Sequence, residues 1–221
     1  MGRLRIQHRE TGETPALHPA QKGLFIILAF LLPAVLSGQE KSIPFSISFF
    51  NESTAIPFTR LITIPVHPGL QVGTEFNYRV REHSRLFQTA NLGYFYHQYL
   101  AQGIGINTEL GYEYRLKSGL AFQGLFGVGY MHTFTTAEEF ILSNGQYEQQ
   151  TDQGNARVTP SLSFDLGYYL KKTAINSPKI FVRYQSWAEY PYSPDFIPVM
   201  THINLHLGAR FFIQLKTAKH E

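Results

Sequence analysis

Residues 104–116 read IGINTELGYEYRL. Ile104, Ile106, Thr108, Leu110, Tyr112, Tyr114 and Leu116 fall on one set of alternate positions. Gly105, Asn107, Glu109, Gly111, Glu113 and Arg115 fall on the other. A helix would mix the two sets on every face, whereas a strand separates them. Residues 201–214, THINLHLGARFFIQ, repeat the pattern: Ile203, Leu205, Leu207, Ala209, Phe211 and Ile213 alternate with His202, Asn204, His206, Gly208, Arg210 and Phe212.

Working outward, the same period-2 alternation recurs from Leu70 to Tyr78, Thr89 to His97, Phe122 to Met131, Val158 to Tyr168 and Ile180 to Glu189. Short polar connections (80–85, 117–119, 171–178) exchange with long ones (134–156, 191–200). That is a meander whose two ends meet different surroundings. Seven strands are clear, and parity asks for one more before Leu70 if both termini lie on the short-turn side. Ile43 to Phe50 alternates well and is preferred; Phe58 to Val66 is the rival. The expected fold class is all-β: an eight-stranded up-and-down antiparallel transmembrane β-barrel spanning 40–221.

Composition agrees. Of the 221 residues, 43% are hydrophobic, 14% aromatic and only 16% charged, which excludes intrinsic disorder. The absence of Cys removes disulfides, thiolate metal sites and a cysteine nucleophile. The formal charge of +3 suggests nucleic acid at first sight, but Arg3, Arg5, Arg9 and Lys22 against Glu10 and Glu13 hold most of the excess, and no basic run follows. No nucleic-acid partner is expected. Leu24 to Val35 (LFIILAFLLPAV), behind Lys22 and ahead of Ser37 and Gly38, has the layout of a secretory signal peptide. Residues 1–39 are expected to be removed, with cleavage between Ser37 and Glu40.

The second face tells a membrane barrel from a soluble one. A soluble lipocalin would show many Lys and Glu there. This chain shows Gly, Asn, Ser and Gln with a sparse two-signed set suited to pairing inside a narrow lumen: Glu75, Glu109, Glu113, Arg115, Asp165, Arg183, Glu189, His202, His206 and Arg210. Tyr78, Tyr112, Tyr114 and Tyr168 near the short turns, and Tyr96, Tyr130 and Tyr190 near the long loops, predict two aromatic girdles. With its leader, Leu70 to Ile213 resembles the small outer-membrane β-barrel proteins, the OmpA-, OmpX- and OmpW-like group. The resemblance is one of architecture, without a diagnostic motif. It implies an outer-membrane location, contact with outer-membrane lipid and lipopolysaccharide, and handling by the barrel-assembly machinery. The chain departs from the group at its end, where QLKTAKHE follows Phe211 and Phe212.

No catalytic, cofactor or metal site is expected. His202 and His206 imitate an H-x-x-x-H pair, but on a strand they stand about 13 Å apart, too far for one ion. The charged lumen residues read as structural pairs, because a buried unpaired ion is costly. Ser143-Asn144-Gly145 resembles part of the His-x-Ser-Asn-Gly stretch of barrel lipid A deacylases, yet position 141 is Ile, so the base is missing; His132 lies elsewhere. Gly124, Gly127 and Gly129 lack the context of a phosphate loop. Three functions stay open: a structural or interaction barrel working through loop 134–156 with Glu138, Glu139, Glu148 and Asp152; a narrow channel or small apolar-ligand barrel; and a lipid-modifying enzyme. Inward Phe95, Leu125, Met131, Phe181, Trp187 and Phe212 would line a cavity or plug it.

Overall fold

The computed structural model describes residues 42–60, 64–136, 139–143, 146–150, 152–171, 176–193 and 196–214. The expected signal peptide lies outside them. Ten strands form among the described residues: β1 (Ser42–Thr54), β2 (His67–Val80), β3 (Ser84–Tyr96), β4 (Ala101–Arg115), β5 (Leu120–Thr135), β6 (Glu139–Ser143), β7 (Gln146–Gln150), β8 (Asn155–Tyr169), β9 (Lys179–Glu189) and β10 (Met200–Gln214). Eight close a barrel in the order β1-β10-β9-β8-β5-β4-β3-β2, every pair antiparallel. The pair β6–β7 is a separate hairpin within the long connection.

The first strand is the preferred one, extended to Thr54; Phe58 to Val66 does not form it. It pairs with β10 from Ser42↔Gln214 to Thr54↔His202 and so closes the cylinder. Connection length divides the two ends less cleanly than expected. Residues 97–100 make a tight link on the long-loop side, and loop 134–156 is shortened by β5, β8 and the hairpin.

The faces are inverted relative to a soluble protein. Leu207 is 67% exposed and Phe126 68%, while Glu109 is 0% and Arg210 2%. The outward side chains of β4, β5, β8, β9 and β10 form an apolar band, which only a hydrocarbon surround makes favourable. Tyr112 and Tyr114 stand exposed towards the short-turn end, and Tyr94, Tyr96 and Tyr190 towards the other. Two outward polar residues are satisfied within the wall: Gln88 donates to Thr108 Oγ1 at 2.7 Å, and Thr108 donates to the carbonyl of Thr89 at 2.7 Å.

Inside, glycine lets rings fit. A Cβ on Gly111 would lie 2.5 Å from the Phe87 ring, and one on Gly208 2.5 Å from that of Phe181. Outside, the link after β1 folds back onto the wall. Phe58, with φ of 64°, donates its N–H to Tyr184 Oη at 2.8 Å and stacks on that ring at 5.3 Å.

Candidate functional site

The barrel interior is layered from the short-turn end to the long-loop end. At the short-turn end Glu113 is the hub. It accepts Arg85 Nε at 2.8 Å, Lys179 Nζ at 3.1 Å, the Tyr169 hydroxyl at 2.5 Å and the Gln123 amide. Glu75 accepts Arg85 at 2.5 Å and Arg210 at 2.8 Å. One layer further in, Asp165 takes both ends of the Arg183 guanidinium at 2.7 and 3.0 Å, and Glu109 takes Arg183 Nη1 at 3.0 Å, with Ser163 at 2.7 Å. Four carboxylates thus face four cations, and each carboxylate is nine-tenths or more buried. Such ions persist in a dry lumen only when paired and hydrogen-bonded.

Above this network sits an aromatic layer. Phe50, Phe95 and Trp187 are buried against one another, with Met131 packed on them. His206 belongs here and not to the ion network: its ring lies 4.6 Å from that of Phe50, and its Nδ1 is 3.1 Å from Ser48 Oγ. The remaining space around this layer, about 40 Å³, has room for an isolated water.

Above the aromatics the lumen opens into a vestibule of about 600 Å³. Phe134, Leu100, Tyr192, Phe196, Ile197 and Met200 form its apolar walls, while Glu52, His97, Arg157, Glu189 and His202 face it from the barrel mouth. Arg157 Nε pairs with Glu189 at 2.9 Å. His202 lies between two carboxylates, 2.7 Å from Glu52 and 3.3 Å from Glu189, with its ring stacked on Trp187 at 4.1 Å. Desolvation, with His67 and His202 close by, holds the His97 imidazole below its ordinary value.

The structure brings Glu75, Glu109, Glu113, Asp165, Arg183 and Arg210 together, and places Glu189 and His202 at the mouth. Arg115 is a correction. As the last residue of β4 it lies at the rim, over the Tyr169 ring at 4.0 Å and donating to the Lys171 carbonyl at 3.1 Å. Arg85, Lys179, Tyr169, Glu52, His67 and Arg157 went unnoticed in the sequence, and His97 was read only as the last residue of an alternating strand. Most stand at strand ends, past the last apolar repeat, and only the length of the strands carries them into the lumen.

The hairpin β6–β7 carries Ser143 at its tip; Asn144 and Gly145 lie outside the described residues. His132 sits at the hairpin's base, 3.2 Å from the Gln153 carbonyl. Asp152 anchors that base by accepting the N–H of Gly154 at 2.7 Å and of Thr135 at 2.5 Å. These bonds, Gly154's first, lower the Asp152 carboxyl below its ordinary value. A group depressed on folding stabilises above its unfolded value and ceases to do so as pH falls through its folded one. Protection of the Thr135 and Gly154 amides, measured against free-peptide exchange at the same pH, is therefore expected to be greater at neutral pH and to fall below the usual carboxylate range; protection that persists in acid would show the anchor to be unimportant.

No family model matches the chain, and no curated protein matches it. Among solved structures, Neisserial surface protein A is similar at a TM-score of 0.48 and 8% identity, covering 79% of this chain and 96% of that one. Ail, the attachment invasion locus protein of Yersinia pestis, gives 0.44 and 15%, covering 79% and 100%. The outer membrane enzyme PagL gives 0.44 and 10%, covering 76% and 98%. The class is decided by this chain's own geometry: a closed eight-stranded cylinder with an apolar exterior and an ionic interior. It is an outer-membrane β-barrel. The short turns gather at one end of the barrel, and the vestibule with the β6–β7 hairpin lies at the other.

Proposed function

We propose that this outer-membrane barrel conducts nothing and works at its outer end, as an interaction protein whose vestibule and loops meet an extracellular partner. The observation that carries this is the sealed lumen beneath an open mouth: two ion-pair layers and the Phe50–Phe95–Trp187 layer lie below the vestibule. A second reading is favoured by the vestibule itself. About 600 Å³ with apolar walls and a few convergent polar groups suits capture of a small, largely apolar molecule without transport.

The non-enzymatic part of the reading rests on access. Ser48 and His206 make a nucleophile-to-base contact of 3.1 Å, but both are buried, with the Phe50 ring against His206. Acyl transfer needs a substrate within reach of both groups. Contacts with lipopolysaccharide and handling by the assembly machinery belong to the same proposal, as does removal of residues 1–39.

Planar-bilayer recording tests it. The refolded barrel is expected to show no stable conductance steps, and Trp187→Ala is expected to stay closed too, because the ion layers beneath remain. Steps from the parent protein would overturn the reading in favour of a passage. Steps from Trp187→Ala alone would make the aromatic layer, and not the ions, the seal.

A further inference from the structure

We infer that the barrel mouth holds a divalent transition-metal ion of the zinc type, bound by Glu52, His67 and His97. The sequence excluded a metal on pairs within one strand, where alternate residues climb away from each other. Rows across strands behave differently. Neighbouring inward side chains on adjacent strands stand about 4.5–5.5 Å apart at Cβ. Glu52 on β1 is the register partner of His67 on β2, and the β2–β3 pairing of Gly69 with Phe95 carries the row on to His97, just past β3. One donor atom from each of the three lies within 4.8 Å of the others, and all three side chains are buried.

The donors are also available. Glu52 gives Oε1 to His202 at 2.7 Å and leaves Oε2 without a hydrogen bond, although the residue is 1% exposed. His67 Nδ1 lies 3.1 Å from the Glu52 carbonyl, which leaves its buried Nε2 unpartnered. The His67 and His97 rings stack at 3.5 Å. The rival for His97 is one contact of 3.3 Å from the Tyr99 N–H to Nδ1, at an exposed turn where water can replace it. Zinc holds nitrogen and carboxylate oxygen at about 2.0–2.2 Å, which puts ligands roughly 3.3 Å apart, so ring rotation is enough to close the set.

Two histidines and one carboxylate are a zinc-type set that leaves a position open. Here Glu52 and His97 line the vestibule, so the open position faces it. His202, between Glu52 and Glu189, orients the ligating carboxylate from behind and is a positioning residue. The inference is independent of what the vestibule receives.

The test is cobalt titration of the untagged full-chain protein, folded in detergent micelles and checked by its mobility on unboiled gels. One equivalent of Co²⁺ is expected to give the visible bands of a tetrahedral ion, and Zn²⁺ to abolish them. His67→Ala and His97→Ala are expected to lose the bands, His202→Gln to weaken binding by about 10–100-fold, and His132→Gln to leave it unchanged. Absence of tetrahedral bands in the parent protein overturns the site whether or not the variants fold. Bands that survive in both His67→Ala and His97→Ala overturn it as well. Conductance is silent on this site, so loss of the metal reading and loss of the closed-barrel reading are separately visible.

Discussion

Glu113→Gln is expected to destabilise the barrel by about 3–5 kcal/mol, the cost of leaving a buried cation without its carboxylate. Glu113 is 2% exposed and bonds Arg85, Lys179, Tyr169 and Gln123 together. Gln keeps the shape but removes the charge. Arg85 retains Glu75 at 2.5 Å, whereas Lys179 has Glu113 as its ion-pair partner and is itself 2% exposed. Most of the loss is therefore assigned to the stranded Lys179 ammonium. Adding Lys179→Met to Glu113→Gln should recover a good part of it, since replacing both members of a buried pair by uncharged groups is often close to neutral. Urea unfolding from liposomes measures both. A loss below about 1 kcal/mol, or no recovery in the double variant, would mean that water reaches the hub and screens it.

Leu207→Arg is expected to cost about 2–4 kcal/mol, and Leu110→Arg a similar amount. Both residues stand mid-strand on the outer face, Leu207 at 67% and Leu110 at 53% exposure. In water a substitution at so exposed a site would be harmless. In hydrocarbon it places a guanidinium where nothing solvates it. Ile213→Arg, near the short-turn end of β10, is the control and should cost about 0–1 kcal/mol, because the side chain reaches the interface. Equal losses at Leu207 and Ile213 in the same liposome assay would show that the outer face is not immersed.

The wall of the barrel was legible because each strand has two solvents. Lipid on one side and a packed lumen on the other forced an alternation, and Ile104 to Leu116 displayed it with Thr108 as the one hydroxyl on the outer set. The same alternation marked Glu109, Glu113, Asp165, Arg183 and Arg210 as inward. What it did not mark were the strand ends. Arg85 and Lys179 looked like turn residues because the apolar repeat stops before they are reached, yet the pairing runs to Ser84↔Tyr114 and Tyr169↔Lys179. Glu52 was missed for the same reason at the other end of β1. The partners themselves were not readable. Whether Glu113 meets Lys179 or Arg210 depends on how strands 66 and 97 residues apart are staggered, and stagger is a property of the closed cylinder. The row of Glu52, His67 and His97 was hidden likewise, since it runs across the strands and the sequence is read along them.

The ion layers divide unevenly along the chain. Ahead of the β6–β7 hairpin, the strands contribute Glu75, Glu109 and Glu113 against Arg85 alone. After it they contribute Lys179, Arg183 and Arg210 against Asp165 alone. Each half, taken by itself, is a sheet with a repelling inner surface, acidic in the first and basic in the second. Neither can bury that surface on its own, because the counter-charges it needs lie in the other half. Complementarity between the halves therefore penalises wrong closures. A half-built sheet that curled shut on itself, or paired with a copy of itself, would enclose like charges at a high desolvation cost, whereas the joining of unlike halves pairs them.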